Sequence, residues 1–222
     1  MASAAGAPQR HARLGRAQIA AVVGATALAG VALGVALHFL LSAPAQPAPA
    51  VSALQGEATW AAGVRPAPNF TLRDQSGNAF TLSSLRGHTV ALAFFDSHCT
   101  QECPLAGRAL AQAEAMLPAK DRPVFVAVSV NPADTPASAR TAATEWGLAP
   151  LGAWHWAMAS AAGLAPVWRA YRIYVHPTPT DIVHTQALYL IDRRGFERSG
   201  YLWPYLPRFV AADLRTLAGA RT

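Results

Sequence analysis

The chain has 222 residues, with 18 Lys and Arg against 12 Asp and Glu, and a hydrophobic fraction of 52%. That is enough for one domain of ordinary size with length left over, and it is high for a wholly soluble protein. Arg10, Arg13 and Arg16 precede an apolar stretch and no acidic residue occurs among the first 50, so residues 51–222 carry 15 basic and 12 acidic groups; this near balance, with no Lys/Arg cluster interleaved with aromatics, argues against nucleic-acid binding.

Ile19 to Leu41 is uncharged and apolar apart from small residues, Thr26 and His38. At about 1.5 Å per residue it is long enough to cross a bilayer core. The sequence therefore divides into a basic tail, 1–18, and a transmembrane anchor, 19–41. A cleavable signal peptide ending near Ala43, Pro44 and Ala45 is the competing reading, but its apolar region would run only about 7–15 residues. The positive-inside rule leaves the tail cytoplasmic, which predicts a single-pass protein of the inner (cytoplasmic) membrane with its C-terminal domain in the periplasm or another extracytoplasmic space. No cysteine lies just after the span, so lipidation there is excluded.

Residues 42–65 are rich in Ala and Pro and read as an extended linker. A folded domain is expected over 66–220. Phe70 to Leu72 and Ala79 to Leu82 alternate around a polar turn, which predicts a hairpin. Thr89 to Phe95 is continuously apolar, the mark of a strand buried on both faces. Leu105, Ala109, Leu110, Ala113 and Leu117 then recur at helical spacing, and Val124 to Val130 is a second apolar strand, completing a βαβ unit. Thr135 before Pro136 predicts a helix start, with the helix running to about Trp146 and ended by Gly147. Trp154 to Trp156 reads as a short strand and Ser160 to Tyr171 as a helix. Tyr174 to Val183, broken by Pro177, Pro179 and Asp181, reads as a protruding loop. Val183 to Ile191 and Phe196 to Leu202 form an antiparallel pair about the turn at Asp192 to Gly195, and Leu206, Val210, Leu214 and Leu217 mark a closing helix. This order is α/β and thioredoxin-like, with an N-terminal β-hairpin extension, after one transmembrane helix.

Both cysteines, Cys99 and Cys103, fall where the first apolar strand runs into its helix. A separation of four puts them on one face. Unpaired N–H groups and the helix dipole favour thiolate there, with His98 and Arg108 as possible supports. Two soft thiolates suit Cu(I) better than zinc, or they cycle between dithiol and disulfide. A purely structural disulfide is a weak alternative, because closing a loop of about five residues contributes roughly 2 kcal/mol against about 4.7 for about 100 residues. Outside the cytoplasm a working dithiol needs a metal or a reductant to keep it from oxidising.

Taken together, Phe70 to Gly77, Leu85 to Gly87, Cys99-x-x-x-Cys103-Pro104, Val128 to Pro132 with Asp134 to Pro136, and His184 within Val183 to Asp192 resemble the Sco/SenC family of membrane-anchored, thioredoxin-like copper-binding proteins that help assemble cytochrome c oxidase. The resemblance covers about residues 66–218. It implies Cys99, Cys103 and His184 as ligands for copper, as Cu(I) and/or Cu(II). It also implies delivery to the dinuclear copper site of cytochrome c oxidase, with the copper-bearing subunit of the oxidase or another copper chaperone as partner. Such a metallochaperone is not an enzyme. The alternative is a thiol-disulfide oxidoreductase that uses Cys99 and Cys103 to reduce the acceptor's cysteines. The family usually has proline where this chain has Thr100, and aspartate where it has Val183 beside the ligand histidine. Asn131 stands where aspartate is common.

Other groups compete less well. Thr100 and Cys103 match part of a thiol-peroxidase pattern, but Asp96 stands where that pattern has proline. A purely structural or signalling module leaves the trio of possible ligands unexplained. His11 and His38 belong to the tail and span, His88 to a strand edge, and His155 to partly buried structure between two tryptophans. His98 and His176 are possible extra ligands, and Trp203 with Tyr201 and Tyr205 is a possible partner patch.

Overall fold

A computed structural model describes residues 15–41, 53–150 and 152–220. Residues 1–14 of the expected tail and 42–52 of the expected linker lie outside the described residues. The chain divides into two units, residues 1–50 and 51–222. In the first, helix α1 spans Arg16–Leu41. Its Arg16–His38 stretch has a mean hydropathy of 2.2 and is the one helix among the described residues long and apolar enough, by length and composition, to cross a membrane.

The second unit is built on β4 (Val90–Phe95), all of whose residues are buried. It pairs in parallel with β5 (Val124–Ser129), which follows it through α2 (Glu102–Ala115). The next crossover, α3 (Pro136–Glu145), leads to β6 (Trp154–Ala157), parallel to β5. On its other side β4 runs antiparallel to β9 (Ala187–Ile191), which pairs with β10 (Glu197–Leu202) and that with the two-residue β1 (Ala58–Thr59). The sheet order is β1-β10-β9-β4-β5-β6. This is the thioredoxin-like arrangement that the order of elements predicts.

Two cores explain why β4 and β5 have no polar alternation. Ala91, Ala93 and Phe95 point into one core, with α2, α3 and α5 (Pro207–Gly219). Val90, Leu92 and Phe94 point into the other, with α4 (Ala161–Ala170) and the hairpin of β2 (Thr71–Arg73) and β3 (Ala79–Thr81). Successive strand side chains alternate faces, so a sheet covered on both sides needs apolar residues at every position. At Gly107 α2 passes so close to Trp146 that a Cβ would lie 2.8 Å from the indole, so only glycine allows that approach. Trp146 in turn meets Phe95 edge-on at 5.3 Å. Thr135 caps α3 reciprocally with Ser138, and proline occupies the first turn, as the sequence predicts.

Four expectations need correction. Residues 53–65 are not linker: Leu54 is buried, the N–H of Gln55 donates to Asp213 at 2.7 Å, and β1 extends the sheet. A Cβ on Gly56 would lie 2.7 Å from the carbonyl oxygen of Gly200, so this strap also needs glycine to lie on β10. Tyr174 to Val183 is not a plain loop but holds β7 (Val175–Pro177) and β8 (Ile182–His184), which pair antiparallel with each other. The strand expected over Val183 to Ile191 is accordingly broken at Thr185 and Gln186. Leu105 is 50% exposed; the buried stripe of α2 runs through Cys103, Ala106, Leu110 and Ala113, and Leu105 lies off it.

Candidate metal centre

Cys99 lies in the loop after β4 and Cys103 on the first turn of α2; both thiols are free. The backbone N–H of Cys103 points at Cys99 Sγ, 3.4 Å away. The Cys103 side chain foremost, then the N–H groups of Cys103, Gln101 and Glu102, lower the Cys99 thiol to about 6 against the opposing effect of burial. These are the unpaired donors of a helix N-terminus acting on sulfur. Cys103 is pushed the other way, by its hydrogen bond to Cys99 and by burial. At neutral pH the pair therefore holds one thiolate, on Cys99, and one thiol, on Cys103.

His184 comes to this pair from the end of β8. Its Nε2 stands 3.7 Å from Cys103 Sγ, and its Nδ1 3.2 Å from the carbonyl oxygen of Thr185. A carbonyl only accepts, so Nδ1 carries the proton and Nε2 keeps its lone pair toward the sulfur. Burial lowers the imidazole pKa, which favours the neutral form. The Thr185 carbonyl thus orients this ring with no carboxylate at position 183, and a backbone carbonyl is among the groups that commonly orient a ligating histidine. Val183 is 52% exposed at the rim.

Cys99, Gln101, Glu102, Asp181, Val183, His184 and Gln186 line one cleft of about 260 Å³. Of the three residues singled out from the sequence, Cys99 and His184 line this cleft, while Cys103 is fully buried and meets each of them, its N–H at the Cys99 sulfur and its own sulfur at the His184 imidazole. Two sulfurs and one imidazole nitrogen are a soft donor set of the kind that suits Cu(I), and the nitrogen extends it to Cu(II).

His98 is not part of this group. Its Nδ1 lies 3.2 Å from Asp134, whose buried carboxylate also accepts from the backbone N–H and hydroxyl of Ser97, the hydroxyl of Ser129 and the indole of Trp156. Burial raises the pKa of Asp134. Asp96 accepts from the N–H of His98 and the amide of Asn131. With these donors in place the Asp96, His98 and Asp134 cluster is a brace for the loop carrying Cys99. His176 is exposed on β7 and stacks on Tyr174 with centroids 6.1 Å apart. Arg108 is exposed on α2. His155 is partly buried and stacks on Phe80 at 4.2 Å, a structural role as expected. Glu102, Gln186 and the Thr185 carbonyl were not visible from the sequence; the one available signal was the position of Glu102 inside the cysteine run.

The asymmetry of the two thiols has a direct consequence. Alkylation of the reduced, metal-free chain by iodoacetamide is expected to rise through pH of about 6 and to level off well below pH 8, on Cys99 alone. Mass mapping of the modified residue against pH checks this; a single midpoint near that of an ordinary thiol, or equal labelling of Cys103, would refute the assignment.

The family model described as SCO1/SenC matches residues 61–219. Among solved structures, that of Bradyrhizobium japonicum ScoI with copper bound is 28% identical, with a TM-score of 0.57 over 68% of this chain and 99% of that one. Yeast Sco1 with copper bound is 18% identical, with a TM-score of 0.60 over 71% and 91% of the two chains. BsSco, described as a member of the Sco family of cytochrome c oxidase assembly proteins with a disulfide switch, is 17% identical, with a TM-score of 0.60 over 75% and 99%. At these lower identities the likeness is one of fold. No curated protein matches the chain.

Proposed function

The chain belongs to the SCO1/SenC family, and from that premise we propose that it is a copper metallochaperone. It takes copper as cargo through Cys99, Cys103 and His184 and passes it to the dinuclear copper site of cytochrome c oxidase. The observation that carries this reading is the convergence of two free thiols with an imidazole whose Nε2 lone pair faces Cys103 Sγ at 3.7 Å. Binding replaces the Cys103 proton with the metal, while Cys99 is already a thiolate. Transfer proceeds by exchange of ligands, and no bond of a substrate breaks. Helix α1 serves as the anchor, with residues 53–220 facing the extracytoplasmic side. The partner is the copper-bearing subunit of the oxidase or another copper chaperone.

The lowered pKa of Cys99 favours a second reading, in which its thiolate attacks a disulfide in the acceptor's copper site and Cys103 resolves the mixed disulfide. One experiment separates the two. The full chain in detergent, reduced and loaded with Cu(I), is mixed anaerobically with the oxidase's copper domain, once with its cysteines reduced and once as the disulfide. The chaperone reading predicts that copper moves to the reduced acceptor while both thiols of the chain stay free. Copper that stays put, together with reduction of the acceptor disulfide and oxidation of Cys99 and Cys103, would make the protein a reductase instead.

A further inference from the structure

His184 reaches the cysteines from an arm, not from the central sheet. Among the described residues, strands β7 and β8 pair only with each other; Val175 and Ile182 at their base pack against the core, and residues 176–181 are exposed. A two-stranded ribbon is marginal by itself, so the place of His184 depends on what ties the arm down. Thr185 and Gln186 join the arm to β9. Gln186 is held at both ends: its carbonyl accepts from the N–H of Trp203 at 2.9 Å, and its side-chain Nε2 donates to Glu102 Oε2 at 2.6 Å. Its other amide atom, Oε1, is buried with no partner among the described residues. The bond to Glu102 is therefore the side chain's one polar tie there.

Glu102 immediately precedes Cys103 on the first turn of α2, and Gln186 stands two residues beyond His184. We propose that Glu102 and Gln186 form a positioning clasp that sets how far His184 reaches toward the cysteines, and thereby how tightly the site holds copper. Neither residue is a ligand; each acts through His184. A hydrogen bond to a carboxylate is short and directional, and it spans the joint at which the arm would swing. Opening it frees the imidazole while leaving both sulfurs in place, which is the order of events that release by ligand exchange requires. The inference rests on the copper reading given above.

The test is a double-mutant cycle on the full chain in detergent, with Cu(I) affinity measured by competition against a chromophoric chelator. Gln186→Leu is expected to weaken binding about tenfold, the lower end of the range for residues that orient a metal ligand. In a His184→Ala background the same change is expected to add nothing, because the clasp then has no ligand to position. Glu102→Gln keeps an acceptor for the Gln186 amide and should stay close to wild type. In the metal-free chain, amide exchange across residues 182–186 should rise in Gln186→Leu and not in Glu102→Gln. Wild-type affinity in Gln186→Leu would overturn the clasp, as would an equal loss with and without His184. Tight binding by wild type that His184→Ala leaves unchanged would instead overturn the ligand set, and the clasp with it.

Discussion

Cys103→Ser is expected to lower Cu(I) affinity by about three orders of magnitude, or about 4 kcal/mol at 1.4 kcal/mol per factor of ten. The effect is large because Cys103 occupies the middle of the site. Its backbone N–H supports the Cys99 thiolate and its sulfur faces His184. Serine leaves a hydroxyl that is a hard, poorly ionised donor at that point, which Cu(I) does not favour. His184→Ala should cost less, since two thiolates remain. Competition titration of the reduced variants measures both. A Cys103→Ser chain that binds Cu(I) like wild type would remove the thiol pair from the site altogether.

Asp213→Ala is expected to destabilise the domain by about 4 kcal/mol. Its carboxylate, fully buried, accepts from the N–H of Gln55 at 2.7 Å and from the hydroxyls of Ser199 and Tyr201 at 2.6 Å each. Alanine would strand three donors, each at a cost of about 1–3 kcal/mol when buried. The same residue ties the strap before β1 to α5, so its loss loosens the edge of the sheet as well as the core. Asp213→Asn, which keeps acceptor capacity, should lose much less. Denaturant unfolding followed by tryptophan fluorescence distinguishes the cases; wild-type stability in Asp213→Ala would mean that the strap and the two hydroxyls find other partners.

The central sheet was legible because β4 is apolar at every position and β5 at every position before its last, Ser129, with a helical repeat between them, a pattern that a sheet covered on both faces imposes. The thiol pair was legible for a related reason: a strand running into a helix gives a place with unpaired N–H groups, and both cysteines fall there. Strand β1 was not, because two residues carry no periodicity and their partners on β10 lie some 140 positions away. The arm of β7 and β8 was hidden by Pro177 and Pro179, which mark breaks in a chain and not the pairing of its flanks. What orients His184 had no sequence signature either. The Val183 position pointed to a missing carboxylate, whereas the ring is held by a backbone carbonyl that every residue possesses. The bond from Gln186 to Glu102 joins positions 84 apart, and nothing local announces it.

A copper carrier of the kind proposed requires Cys99, Cys103 and His184 to hold one copper ion together. X-ray absorption at the copper edge, on the full chain reduced and loaded with one equivalent of Cu(I), counts those neighbours, beside His184→Ala. Wild type is expected to show two sulfur neighbours and one nitrogen neighbour, with the imidazole scattering lost in His184→Ala. Spectra that are the same for the two proteins, or a first shell of sulfur alone in wild type, would contradict it.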